Sequence, residues 1–303
     1  MSTTREAPYT LIALTPRFLL YAEVELAFSK ESLIKYRDCL RYIIRVLGDR
    51  DIADITSEEL LTLKGAMLQR NLSVSRQVGV LSTLKRLLQY AQSHLGLSVI
   101  NHEEITMPKR PRREVVFLTP EEVGRFVGAI HIETYRGKPS IRGLRFRAVV
   151  EMLLGSAMRI SELLSLNRRD VDFVNREAKV IGKGNKQRVV FFSERALLWL
   201  TRYLEARSDE QEALFTTVDG KQRLVRTDLW RSFRIVRARA GIEKPVRPHL
   251  LRHTAATQLL FNGCPIGHIK EILGHERLET TCRYYLGLDH RAAKQAHEQF
   301  LIY

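Results

Sequence analysis

The stretch LLGSAMRISELL at residues 153–164 is an apolar run with one arginine and one glutamate set into it. Arg159 and Glu162 lie three positions apart and so share a face of a helix. A charge among so many leucines needs a partner, because burying an unpaired ion is strongly disfavoured. Taken alone, the pair reads best as a structural ion bridge. Its meaning depends on the rest of the chain.

Downstream, Val180-Ile181 and Val189-Val190-Phe191-Phe192 flank Gly182-Lys-Gly-Asn, turn chemistry between β-rich runs, which predicts a hairpin. In RPHLLRHT at residues 247–254, Pro248 marks a helix start, and His249 and Arg252 again lie three apart. An imidazole and a guanidinium projecting together from a helix N-terminus suit a phosphate. His253 points elsewhere and reads as structural. Gly274 then ends a helix, His275 follows it, and Thr280-Thr281 opens another helix leading into Tyr284 and Tyr285. Each piece is weak by itself: HxxR is common by chance, and a lone tyrosine is more often a half-buried aromatic than a nucleophile.

Upstream, Leu118-Thr-Pro-Glu-Glu-Val predicts a helix capped by Thr119 with Pro120 at its first position. Before it, ITMPKRPRREVV at residues 105–116 contains two prolines, which rule out a continuing helix. Its Lys109, Arg110, Arg112 and Arg113 would repel one another in a compact fold, so the segment reads as an extended basic linker lying against something negative or, equally well, as a flexible tether. From Ser29 to about Leu97 the pattern is helical. Leu33, Tyr36, Leu40, Ile43, Ile44 and Leu47 recur at helical spacing, Gly48 stops that helix, and Thr56-Ser-Glu-Glu opens the next. Val80, Leu81, Leu84, Leu87, Leu88 and Ala91 make a further inward face. About 15–25 residues are expected to precede these bundle helices.

The chain of 303 residues suffices for two domains, predicted as 1–104, helical, and 117–303, mostly helical with one strand interlude, joined by 105–116. The fold class is mainly α with a small β-sheet. Lys and Arg outnumber Asp and Glu by 49 to 34, a net charge of +15 that favours a polyanionic partner. Cys39, Cys264 and Cys282 show no ligand spacing, arguing against a zinc site and a disulfide framework. No apolar run reaches membrane-spanning length and no basic-then-apolar leader is visible, so a cytoplasmic, nucleoid-associated protein is expected.

Together the pieces carry a specific resemblance. LLGSAMRISELL, VIGKGNKQRVV (180–190), HLLRHTAAT (249–257) and LGHERLETTCRYY (273–285), in this order and spacing, resemble the tyrosine recombinase or phage integrase family, the Xer-type resolvases among them. The match covers essentially all of 117–303, and the helical bundle and basic linker fit the family's core-binding domain. The resemblance implies a catalytic pocket of Arg159, Lys183, His249, Arg252 and His275, with Glu162 orienting it. It implies Tyr284 as nucleophile, since family members place that tyrosine nine residues beyond the GH histidine. Many relatives carry Thr after the nucleophile; here Tyr285 stands there.

The implied activity is site-specific cleavage and rejoining of double-stranded DNA through a 3′-phosphotyrosyl link and a Holliday junction, with no metal and no cofactor. The implied assembly is a homo-tetramer on two duplexes, each pair of domains clamping DNA, with room for an accessory factor or partner recombinase. The tail, His290 to Tyr303, has an apolar stripe expected to dock on a neighbouring protomer. A catalytically silent DNA-binding regulator and a topoisomerase IB-like nicking enzyme are the alternatives. The short N-terminal lead favours a simple recombinase, although Gly128–Arg145 looks longer than the corresponding Xer loop.

Overall fold

The computed structural model describes residues 9–109, 116–133, 136–182 and 187–274. The chain divides into two compact units, Met1–Arg113 and Glu114–Tyr303.

The first unit packs α1 (Leu11–Val24), α2 (Lys30–Leu47), α3 (Ser57–Gln69) and α4 (Val74–Leu95) around an apolar core that includes Phe18, Leu40, Ile43, Leu63, Leu84 and Leu88. Side-chain caps set the helix starts. Ser29 accepts from the Ser32 amide, and Thr56 and Glu59 form a capping box at α3. Such caps are worth about 1 kcal/mol each. Gly48 ends α2 with φ +79°, a left-handed turn that suits a residue without Cβ.

The expectation that the bundle begins near Ser29 is corrected by α1. Leu11, Leu14, Phe18 and Ala22 are buried at helical spacing. Pro16 sits inside this helix on its exposed side, so the helix forgoes one amide but keeps its inner face. Ile105 is buried in the same core, and Lys64 Nζ donates to Thr106 Oγ1 at 2.9 Å.

The second unit runs through α5 (Pro120–Gly128), α6 (Ile141–Ser156), α7 (Ile160–Ser165), β1 (Val171–Asp172), β2 (Glu177–Ile181), β3 (Gln187–Phe191), α8 (Glu194–Glu205), α9 (Arg226–Arg239), α10 (Pro248–Phe261) and α11 (Ile266–Leu273). This is the mainly helical fold with a small sheet that the sequence implied. The hairpin β2–β3 is antiparallel with Val180 opposite Arg188, and β1 adds a short third strand that the sequence reading lacked. Phe192 lies just beyond β3.

Helix α6 is the centre of this unit. Ala148, Val149, Val150, Met152 and Leu153 are all fully buried, which is why it shows no clean amphipathic stripe. Ile141–Arg145, read as part of a long loop, form its first turn. Gly143 is there because a Cβ would lie 2.1 Å from the His131 carbonyl oxygen. No helix among the described residues is long and apolar enough to cross a membrane.

Candidate active site

The run at 153–164 is not one helix. Ala157 takes a left-handed conformation, φ 53°, which ends α6, and Arg159 becomes the N-cap residue of α7. Glu162, one turn in, accepts from the Arg159 amide at 2.8 Å and from its Nη1 at 2.7 Å. The carboxylate therefore fills the capping role and neutralises the guanidinium at once. Arg159 retains 28% side-chain exposure while Glu162 retains 3%. The base of the pair is dry and the guanidinium reaches the surface.

A second arginine shares that carboxylate. Arg188 on β3 donates from Nη2 to Glu162 Oε2 at 2.8 Å and from Nη1 to the Ile272 carbonyl at 2.7 Å. Burial alone would raise the Glu162 pKa. The bond from the Arg159 amide and the charges of Arg188 and Arg159 outweigh burial and hold the carboxyl below its ordinary range.

Arg252 comes from the second turn of α10 and is 6% exposed. Its Nη1 donates to the Ala157 carbonyl at 2.9 Å and its Nη2 to the Leu273 carbonyl. Pro248 occupies the first turn of α10, so His249 projects from that helix's start with an exposed edge. Desolvation, then the charges of Arg252, Arg226 and Arg159, lower the His249 pKa below the ordinary imidazole value. His249 is thereby kept neutral near pH 7, a form that can accept a proton. His253 is half-buried; desolvation, then His249 and Arg252, lower its pKa too.

The fold thus brings Arg159, Glu162, His249 and Arg252 to one place, where α7 and α10 begin and α11 ends. Lys109 is exposed in the first unit. Lys183, His275, Tyr284, Arg110, Arg112 and Arg113 lie outside the described residues, as does the tail. Gly274 ends α11 in a left-handed conformation, as its sequence context implied. Arg188 is the residue that sequence reasoning missed. Its signal was available: it takes the same side of β3 as the buried Val190, where an arginine is out of place. No group of three or more His, Cys, Asp or Glu among the described residues is arranged to hold a metal ion.

The sequence profile of the phage integrase family matches residues 116–291. The chain is 29% identical to tyrosine recombinase XerC of Histophilus somni over 297 residues, covering 94% of this chain and 96% of that protein. It is 28% identical to tyrosine recombinase XerD of Bifidobacterium longum, covering 89% of this chain and 91% of the relative. Among solved structures, the Tn1549 transposon integrase in complex with transposon right-end DNA matches with a TM-score of 0.80, at 19% identity, over 97% of this chain and 100% of that one. At that identity the likeness speaks for the fold.

Proposed function

The chain belongs to the phage integrase family, and from that footing we propose that it is a site-specific DNA recombinase of the Xer type which cuts with Tyr284. One observation supports this reading above the others. Arg159 is far in sequence from the neighbouring His249 and Arg252, yet the three side chains come within electrostatic reach of one another, and Glu162 holds the outermost guanidinium in place.

The chemistry follows from those groups. Attack on a phosphodiester adds negative charge to the non-bridging oxygens. Arg159 and Arg252 bind those oxygens through charge-assisted hydrogen bonds, and His275 adds another donor. The Tyr284 oxygen forms a bond to phosphorus as the bond to the 5′ oxygen breaks. His249 takes the phenol proton, and Lys183 protonates the departing 5′ oxygen, which leaves as a hydroxyl. The phosphotyrosyl ester conserves the bond, so the reverse step with a 5′ hydroxyl from a second duplex completes exchange without an energy source. Glu162 orients and does not react.

Double-stranded DNA is the partner, and Lys109, Arg110, Arg112 and Arg113 contact its backbone between a helical core-binding unit and the catalytic unit. Exchange takes a tetramer on two duplexes, with residues 292–303 of each protomer docking on the next; a head-to-tail arrangement of that kind closes a ring. Deleting 292–303 should spare half-site binding and impair cooperative binding and strand exchange.

The test is adduct formation in the presence of EDTA. Incubated with a pool of nicked duplexes carrying a randomised centre, the protein should form SDS-resistant adducts bearing DNA 3′ ends. A strict Mg²⁺ requirement for the adduct, or no adduct from any duplex, would overturn the proposal. Relaxed plasmid without recombinant products would instead support the topoisomerase-like alternative.

A further inference from the structure

Three guanidiniums from three different elements end on three consecutive carbonyls. Arg188 Nη1 donates to Ile272 at 2.7 Å, Arg252 Nη2 to Leu273, and Arg159 Nη2 to Gly274 at 3.2 Å. These carbonyls close α11, where a helix leaves acceptors without intrahelical partners and carries the negative end of its dipole. Arg159 and Arg252 have work in the mechanism above. Arg188 does not.

We propose that Arg188 is a positioning residue for strand cleavage: by gripping the end of α11 it sets where the chain leaves for His275 and Tyr284. The proposal rests on the recombinase reading. Arg188 is anchored on both sides. Its backbone belongs to β3, opposite Val180 in the hairpin whose turn carries Lys183 in sequence. Its other amino group is bound to Glu162 Oε2, the oxygen that also caps α7 through the Arg159 amide. One side chain therefore ties β3, the start of α7 and the end of α11 together.

Gly274 supplies independent support. A Cβ at that position would lie 2.5 Å from Arg188 Nε and 2.6 Å from its Cδ, so residue 274 is shaped around the arginine stem. Its φ of +59° would suit glycine at any helix end, but the steric demand comes from Arg188 in particular. A plain ion pair with Glu162 needs neither the Ile272 bond nor the space at Gly274. Burial of an arginine on the inner side of a strand is also disfavoured unless its several protons are used. At 14% side-chain exposure, Arg188 is held in that unfavourable place by the bonds it makes to Glu162 and Ile272.

The experiment uses the full chain and a cleavable duplex recovered from the randomised pool. Arg188→Lys keeps the positive charge beside Glu162 but loses the fork that spans to Ile272. Its affinity for the duplex should stay near wild type, while the single-turnover cleavage rate falls by about 10- to 100-fold, the scale of a misplaced reacting group. The loss should be equal on a duplex with a 5′-bridging sulfur, because the fault lies on the nucleophile's side. Amide exchange at Leu273 and Gly274 should quicken, with α6 and α10 unchanged. In Gly274→Ala the arginine is already displaced, so adding Arg188→Lys should cost no further rate.

A cleavage rate equal to wild type overturns the proposal alone. So does a defect that disappears with the sulfur leaving group, or one that spreads as faster exchange through α6 and α10. If wild-type protein forms no adduct with any duplex, the recombinase reading fails first and this proposal with it.

Discussion

The two units bury different things. Among the described residues, the interior of the first is apolar but for the Tyr42 hydroxyl and Thr83, whose hydroxyl is satisfied by the Gly79 carbonyl at 2.9 Å. The second buries Arg145, Glu151, Glu162 and Arg252. A core that carries no chemistry keeps ions at its surface, since desolvating them costs more than most pairings return. Burial of charge alone does not mark a site, however. Glu151 accepts from Arg147 at 2.8 Å and Arg195 at 3.0 Å, a pairing much like that of Glu162 with Arg159 and Arg188. Arg147 also lies 4.2 Å from the centroid of Trp199. That cluster braces α6 against α8. The Glu162 cluster differs in sitting among helix ends, where partly exposed donors converge on one region.

The largest expected effect tests this distinction directly. Glu162→Gln and Glu151→Gln each strip a buried carboxylate from two arginines and should destabilise the protein by about 3–5 kcal/mol in urea unfolding. Only Glu162→Gln should also slow cleavage by the fraction that remains folded. Equal catalytic loss in both variants would erase the contrast between the clusters.

Next in size is Arg159→Ala, which should cut the cleavage rate by about 10²–10³-fold, as for the loss of one transition-state donor. Its partly exposed guanidinium should matter far less to folding than that of Arg252. Removing Arg252 leaves the buried carbonyls of Ala157 and Leu273 short of a donor, so stability and cleavage should fall together.

A smaller effect concerns pH. Burial and then neighbouring arginines lower the folded pKa of His249, so the unfolded chain binds more protons between that lowered value and about 6.5. Stability should therefore decline as pH falls through this window, and His249→Gln should lessen the decline. A wild-type protein that gains stability on mild acidification contradicts the assignment. The smallest effect belongs to the first unit. Thr83→Val removes a buried hydroxyl together with one satisfied bond and should change stability by no more than about 1 kcal/mol.

What the sequence made legible was punctuation. Thr56, Thr119, Pro248, Gly48 and Gly274 mark helix ends that the structure places beside them, because caps are local chemistry. The inner faces of α2 and α4 were equally readable from their spacing. Helix α1 was obscured by Pro16, and α6 by burial on every side, which removes the polar face that periodicity needs. At the site, Arg159, Glu162, His249 and Arg252 stood out through motif order. Arg188 was hidden because a basic residue in a hairpin of a basic protein looks solvated. Only the side of β3 on which it falls says otherwise.

If this cluster serves a tyrosine nucleophile at position 284, trapping of covalent protein–DNA adducts will reveal it. Tyr284→Phe and Tyr285→Phe should each bind the selected duplex about as well as wild type, since neither loses a charge that meets phosphate. Tyr284→Phe should form no SDS-resistant adduct, while Tyr285→Phe still should. An adduct that persists in Tyr284→Phe, or vanishes only in Tyr285→Phe, would contradict the choice of Tyr284 as nucleophile.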